Sequence, residues 1–289
     1  MPQSPEPIVA SDTLAATTLQ LASSDDPFET VTGRPADDGW VLLADALTTP
    51  AIFDAWFDQV HRTIPNGRKD VAGSYLASFL SGAIAAPLVR ALVSQRRGWR
   101  LTADALWLRV HDDGWITGVA ISAPVLVVVG DPAMGRPDTE IVASVDELTA
   151  IAVEHLVAVV APLFAEVRSR APYGLRGMWG ALADSIAADL TWSAHVDGRD
   201  VIDAWQRAQP VIHALAEAVA PRSLTRPTFE RVENDDHAAH LTIRGTCCLY
   251  YQSRPNDEPT DYCSSCPMGD DTTRRLRQEN WLRRQHASE

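Results

Sequence analysis

The chain has 289 residues, 46% of them hydrophobic, enough to bury a core without cross-links. Its 38 acidic residues outnumber 25 basic ones, for a formal charge of -13. That balance repels phosphate backbones and anionic lipid surfaces, so nucleic acid is excluded as an expected partner.

In chain order, residues 1–35 come first, rich in Pro, Ser, Thr and acid, and read as a loose or partly helical arm. The opening MPQSPEPIVASDTLAATTLQ holds no basic n-region and no apolar run of signal-peptide length, so a cytoplasmic location is expected. In TPAIFDAWFDQVHRTI (49–64), Ile52, Trp56, Phe57 and Val60 recur at helical spacing behind a Thr49-Pro50 start. KDVAGSYLASFLSGAIAAPLVRALVSQR (69–96) is apolar on much of its circumference, which predicts a buried helix, kinked or broken near Pro87. ALWLRVHDDGWITGVAI (105–121) places two alternating runs either side of Asp112-Asp113-Gly114, the pattern of a β-hairpin. PVLVVVG (124–130) reads as a third, more buried strand, and a Gly/Pro/Asp-rich loop follows.

Three helical stretches come next: 144–170, opening on a Ser144/Glu147 capping box, then 175–196, then 200–220, bent at Pro210. The most apolar runs, 75–89 and 148–164, fall short of the roughly 20 residues needed to cross a bilayer, so no transmembrane segment is expected. TFERVE and AAHLTIRGTCCLYYQ return to β-type composition, and TTRRLRQENWLRRQ (272–285) is a short basic helix. The fold class is α+β, a mostly helical body with a small antiparallel β-sheet and a separate cysteine-bearing C-terminal subdomain. The histidines do not cluster: His155 and His213 sit on apolar helix faces, whereas His195, His237 and His240 lie nearer the C-terminal region. No glycine-rich dinucleotide fingerprint and no phosphate-binding loop is present, so neither a nicotinamide site nor a nucleoside triphosphatase is indicated.

All four cysteines fall within twenty residues, spaced Cys247-Cys248-x14-Cys263-x2-Cys266. Such a set in a reducing compartment points to a metal or to redox chemistry rather than to structural disulfides. Four thiolates suit a tetrahedral zinc cage and equally suit an iron-sulfur cluster. The adjacent pair favours the cluster, because neighbouring side chains in a strand face opposite ways and reach one small ion only if the backbone leaves strand geometry.

LTIRGTCCLYYQ...YCSSCP resembles the C-terminal signature of the FhuF-like ferric-siderophore reductases, carried here by Arg244, Cys247, Cys248, Leu249, Tyr250, Tyr251, Tyr262, Cys263, Cys266 and Pro267. GMWGALADSIA (177–187) more loosely resembles a Trp-centred helical segment of that family. The fourteen-residue spacer, with its polar SRPNDEPTD, is longer than is usual there; a solvent loop lengthens at little entropic cost. The resemblance implies a 2Fe-2S cluster on the four cysteines, one-electron reduction of Fe(III) in an imported siderophore of hydroxamate type, and release of Fe(II). It also implies a separate electron donor, such as a ferredoxin or a flavin- or nicotinamide-dependent reductase.

On that reading the chain divides into an arm (1–35), a siderophore-binding body (36–237) and a cluster-binding subdomain with a basic tail (238–289). Trp179, Arg176, Trp192 and Tyr251 are candidates for the substrate groove, being aromatic or cationic and near the expected cluster. Arg274, Arg275, Arg277, Arg283 and Arg284 are candidates for docking an acidic donor. Two rivals stand beside this reading: an iron-sulfur redox or iron sensor, and a non-enzymatic protein whose four cysteines form a structural zinc site.

Overall fold

A computed structural model describes residues 28–219, 224–233, 238–253 and 262–286, together with Thr13 and Thr17. At its centre is helix α3 (Lys69–Gln95), preceded by α1 (Leu43–Thr48) and α2 (Pro50–Arg62). Leu76, Leu80, Ile84 and Leu88, four residues apart, are sealed from solvent on one side of α3. Val71, Ala72, Ala85 and Val89 are equally buried on others, so the helix is enclosed almost all round. Pro87 does not break it. The helix runs on to Gln95 and ends where Arg96 takes a left-handed conformation at φ 55, because burial on several sides outweighs the single hydrogen bond that a proline removes.

Helices α4 (Val145–Arg170), α5 (Leu175–Val196) and α6 (Val201–Ala218) pack around α3 and one another. The Ser144 hydroxyl accepts from the Glu147 N–H at 3.1 Å, and the Glu147 carboxylate reaches back to the Ala143 N–H at 2.7 Å, which fixes the start of α4. Thr49 caps α2 through backbone conformation alone, with no side-chain hydrogen bond. Helices α3 and α4 are each long and apolar enough to cross a membrane by length and composition, a test that buried core helices also meet; 67% of the α3 window and 44% of the α4 window are buried inside the protein.

The α+β class holds, but among the described residues the strands form three sheets rather than one. The first has order β1-β5-β4-β2, from β1 (Glu29–Thr32), β2 (Trp40–Leu42), β4 (Leu106–Val110) and β5 (Ile116–Ile121). Its β4–β5 hairpin is the one expected around Asp112-Asp113-Gly114. The second has order β3-β6-β7, from β3 (Arg97–Trp99), β6 (Val125–Val128) and β7 (Thr139–Val142). Two pairings, β1 with β5 and β6 with β7, are parallel, so these sheets are mixed. Part of the expected arm is therefore structured: β1 adds an edge to the first sheet, and Thr13 and Thr17 are buried, Thr17 bonded by Gln95 and Arg97. Residues 1–12, 14–16 and 18–27 of that arm, His237 and most of the SRPNDEPTD insertion lie outside the described residues.

The third sheet is the antiparallel hairpin of β8 (Thr228–Glu233) and β9 (Ala238–Ile243). Residue 238, the expected start of the cysteine-bearing subdomain, is the first residue of β9, so the pair β8–β9 spans it. Helix α7 (Asp271–His286) packs against β8 and closes the chain. Of the helix histidines, His155 is tied to the Leu101 carbonyl at 3.1 Å, whereas His213 is exposed beside Glu217.

Candidate metal centre and adjoining cavity

Beyond Ile243 the chain leaves β9 and is pressed onto α5. The buried Asp184 carboxylate accepts the Gly245 and Thr246 N–H groups at 2.7 and 3.2 Å, and Arg244 Nε lies 3.4 Å from it. One turn earlier on the same face, Gly180 leaves room for Thr246: a Cβ there would lie 1.8 Å from Thr246 Oγ1. Burial raises the Asp184 carboxyl to about 6, a rise held in check by Arg244 and the two N–H donors.

The doublet that follows is irregular backbone, not strand. The rule that neighbouring strand side chains diverge therefore does not apply to Cys247 and Cys248. Tyr173 donates its hydroxyl to the Cys247 carbonyl at 3.3 Å, and Ser74 on α3 donates to the Cys248 carbonyl at 3.0 Å. Burial pushes the Tyr173 phenol above its ordinary range, which keeps its proton in place. Leu249 then adopts a left-handed conformation at φ 59, unusual for a branched residue, and its N–H turns back onto Cys247 Sγ at 3.4 Å.

The second half-site repeats that turn. Met268 N–H donates to Cys266 Sγ at 3.4 Å, Cys266 N–H donates to the Cys263 carbonyl at 3.0 Å, and Arg244 N–H donates to the Ser265 carbonyl at 3.0 Å, joining the two arms. Helix α7 clamps the loop from outside: Gln278 Nε2 donates to the Ser264 carbonyl at 3.1 Å, and Arg277 donates to the Tyr262 carbonyl.

All four cysteines are free thiols, and they face one another in two pairs, Cys247 with Cys266 and Cys248 with Cys263. The hydrogen bond between Cys248 and Cys263 pushes the Cys248 thiol far up and brings Cys263 down to about 7. Burial, then the neighbouring Cys266 and Cys248, lift Cys247 to about 11. Cys247 and Cys248 therefore hold their protons tightly, and a cation that replaces those protons relieves the crowding. Four cysteines in this arrangement suit a metal in two ways, a tetrahedral zinc cage or the two irons of a 2Fe-2S cluster, which take two thiolates each. Among the described residues no group of three or more His, Cys, Asp or Glu side chains closes around one point, which bears equally on both.

A cavity of about 770 Å³ opens beside this centre, walled by α5, the start of α6, β9 and α7, with Ser264 and Ser265 of the CxxC turn in its lining. Ser265 also places its hydroxyl 3.8 Å from Cys263 Sγ, so one residue touches both the cavity and the thiols. Trp192 stands at this cavity, 54% exposed, with Trp281 also lining it. His195 and His240 are in the wall, His240 stacked on Phe229 and Phe229 on Trp205.

The other expected substrate residues lie elsewhere. Trp179 is buried in the core, edge-on to Phe164 at 4.8 Å, because its position on α5 faces α4; it offers no surface to a ligand. Arg176 is on the surface, bonded to Thr225 Oγ1 at 3.2 Å. Tyr251 packs against Tyr262 next to the cysteines rather than in the cavity wall. Of the five arginines, Arg274 is buried and paired with Asp271 and Glu230, and Arg277 holds the cysteine loop, so both are turned inward. Arg275, Arg283 and Arg284 remain exposed.

Sequence reading missed Gly180, Asp184, Ser74, Tyr173 and Gln278. One signal was available: an acid inside the apolar run ALADSIAADL, four residues after a glycine, is out of place on a core helix unless it has buried partners. No protein-family model matches this chain, and no curated protein is a significant match for it.

Proposed function

We propose that the chain is a cytoplasmic ferric-chelate reductase, in which Cys247, Cys248, Cys263 and Cys266 hold a 2Fe-2S cluster and the adjoining cavity receives a ferric siderophore. The observation that carries this reading is Ser265, which lines the cavity and hydrogen-bonds Cys263, so that an acceptor in the cavity lies one side chain from the redox centre. Held by these four cysteines, a cluster would supply one-electron chemistry for reducing Fe(III) with an electron from a separate donor protein; Fe(II) is held less tightly by hard oxygen donors.

The protein's own part is placement. Ser74 and Tyr173 fix the doublet by its carbonyls and Asp184 holds the two residues before it, which leaves the sulfurs free to bind metal. The N–H groups of Leu249 and Met268 aim at sulfur, where they stabilise the added negative charge of a reduced centre. No acid, base or nucleophile is required of the chain.

Mixing the anaerobically reduced protein with a ferric siderophore and an Fe(II) trap tests the reading. Reoxidation of the cluster with one trapped Fe(II) per electron is expected. A cluster that stays reduced while the trap stays empty overturns the enzyme and favours a sensor.

A further inference from the structure

Arg244 lies three residues before Cys247 and turns its charge inward. We propose that it tunes the centre: its guanidinium sets a fixed positive charge and an unclaimed N–H donor against the group that the four cysteines hold, and so favours the reduced, more negative state. This rests on the functional reading above and adds the residue that sets how readily the centre takes its electron.

Arg244 is clamped between the two arms of the cysteine segment. Its backbone N–H donates to the Ser265 carbonyl in the CxxC turn at 3.0 Å, and its Nε donates at 3.2 Å to the Thr246 carbonyl, in the peptide that leads into Cys247. Asp184, whose side chain is 1% exposed, lies 3.4 Å from the same Nε. One edge of the guanidinium is thus taken, and because the group is planar and rigid its other nitrogens are fixed with it. Nη2 is sealed from solvent and has no hydrogen-bond partner among the described residues. A charged donor buried in that way is costly unless an acceptor reaches it. Arg244 takes no part in the wall of the adjoining cavity, so a ligand seated there does not supply one. The sulfurs of a bound centre would.

The thiols feel this charge. The hydrogen bond to Cys263 and burial push the Cys248 thiol up, and Arg244 opposes them by favouring the thiolate. Other arginines of the segment are committed elsewhere: Arg274 pairs with Asp271 and Glu230, and Arg277 donates to the Tyr262 carbonyl. Asp184 offsets only part of the Arg244 charge, because its oxygens also accept the Gly245 and Thr246 N–H groups at 2.7 and 3.2 Å. A centre on four thiolates is negatively charged, and reduction adds one electron more. In a chain of net charge -13, a cation held inside the segment eases that addition, and with its side chain 24% exposed it is screened by salt only in part.

Redox titration of the holoprotein, followed by visible absorption, tests this on two variants. Arg244→Gln keeps hydrogen-bonding groups and loses the charge, whereas Arg244→Lys keeps the charge and loses the fork. At a fixed solution potential the reduced-to-oxidised ratio is expected to be about tenfold lower in Arg244→Gln, a shift of about 59 mV for one electron, and within about threefold of wild type in Arg244→Lys. Equal ratios in wild type and Arg244→Gln, or a loss in Arg244→Lys as large as in Arg244→Gln, overturn the assignment. Both variants also disturb the Thr246 contact, so a variant that fails to retain iron is read with cobalt(II), titrated into the metal-free full chain and followed by its sulfur-to-metal absorption. Weaker cobalt binding in Arg244→Gln that Arg244→Lys restores supports the charge at the thiolates, and unchanged binding in Arg244→Gln overturns it. If the potential shifts as expected but reduced protein passes no electron to a ferric chelate, Arg244 stands and the reductase falls. A wild-type chain that holds zinc without sulfide also removes the reductase, and the cobalt titration then decides Arg244.

Discussion

The helical body and the cysteine segment are fastened by different forces. In the body the largest fully buried side chains are Trp99, Phe53, Phe164 and a run of leucines and isoleucines, and the apolar core extends from Leu43 to Val219. Among the described residues after Arg244 the buried ones are Ser253, Cys266, Arg274, Gln278 and Leu282, mostly polar. Each buried leucine in the first region is worth about 1.5–3 kcal/mol of transfer free energy. The second region instead leans on side chains from α3, α5 and α7 that hold its backbone. The body therefore stands on buried apolar contacts, whereas the segment keeps its shape through those hydrogen bonds and, on the proposed reading, through the metal it would hold.

The largest expected effect comes from removing the metal centre. Cys266→Ser, which replaces the most buried of the four thiols, is expected to abolish iron binding while leaving helix content unchanged. Hydrogen exchange after chelation should speed up in residues 244–282 and stay slow in α3 and α5. Fast exchange throughout would erase the contrast between the two regions.

Next is Asp184. Its folded value of about 6 lies above the ordinary 3.8, so it favours folding below about pH 4, and that contribution is lost as pH rises through about 6. The shift is worth roughly 3 kcal/mol, since each unit is about 1.4. Asp184→Asn lacks this dependence, so the wild type's advantage over the variant in urea unfolding should shrink between pH 4 and 7. A constant gap across that range would mean the carboxylate is not the buried anchor described.

Gly180→Ala is a smaller intrusion. The added methyl meets Thr246, so the doublet must lift from α5, at a cost of about 1–3 kcal/mol in thermal unfolding together with weaker metal retention. Thr246→Gly in the same chain should restore both. The double variant behaving no better than Gly180→Ala would place the fault in the helix rather than at the contact.

The smallest effect concerns the exposed arginines. Replacing Arg275, Arg283 and Arg284 by Gln should slow reduction by an acidic donor a few-fold at low salt, and not at high salt, as expected for steering at a solvated surface. Extending the change to Arg274 and Arg277 should instead loosen the cysteine loop, because Arg277 donates to the Tyr262 carbonyl and Arg274 to the Gly269 carbonyl at 3.4 Å.

Much of the body could be read directly. Helical spacing at Ile52, Trp56, Phe57 and Val60, the Ser144/Glu147 box and the Asp112-Asp113-Gly114 turn are local patterns, and they become α2, α4 and the β4–β5 hairpin. Parallel pairing of β1 with β5 is not local: Thr30 meets Val119, and nothing in either short strand names the other. The cysteines were legible as a group because their chemistry is in their identity. Their setting was not, because it depends on where α5 and α7 come to rest. Trp179 shows this well: it marked the right helix, but the face that meets the doublet carries Gly180 and Asp184, and the indole points into the core.

Whether the four thiols jointly hold a redox-active cluster is tested most directly by iron and acid-labile sulfide measured on the anaerobically purified full-length chain. Two irons and two sulfides per chain, with red-brown absorption that bleaches on reduction, are predicted. A colourless chain carrying one zinc and no sulfide would contradict it.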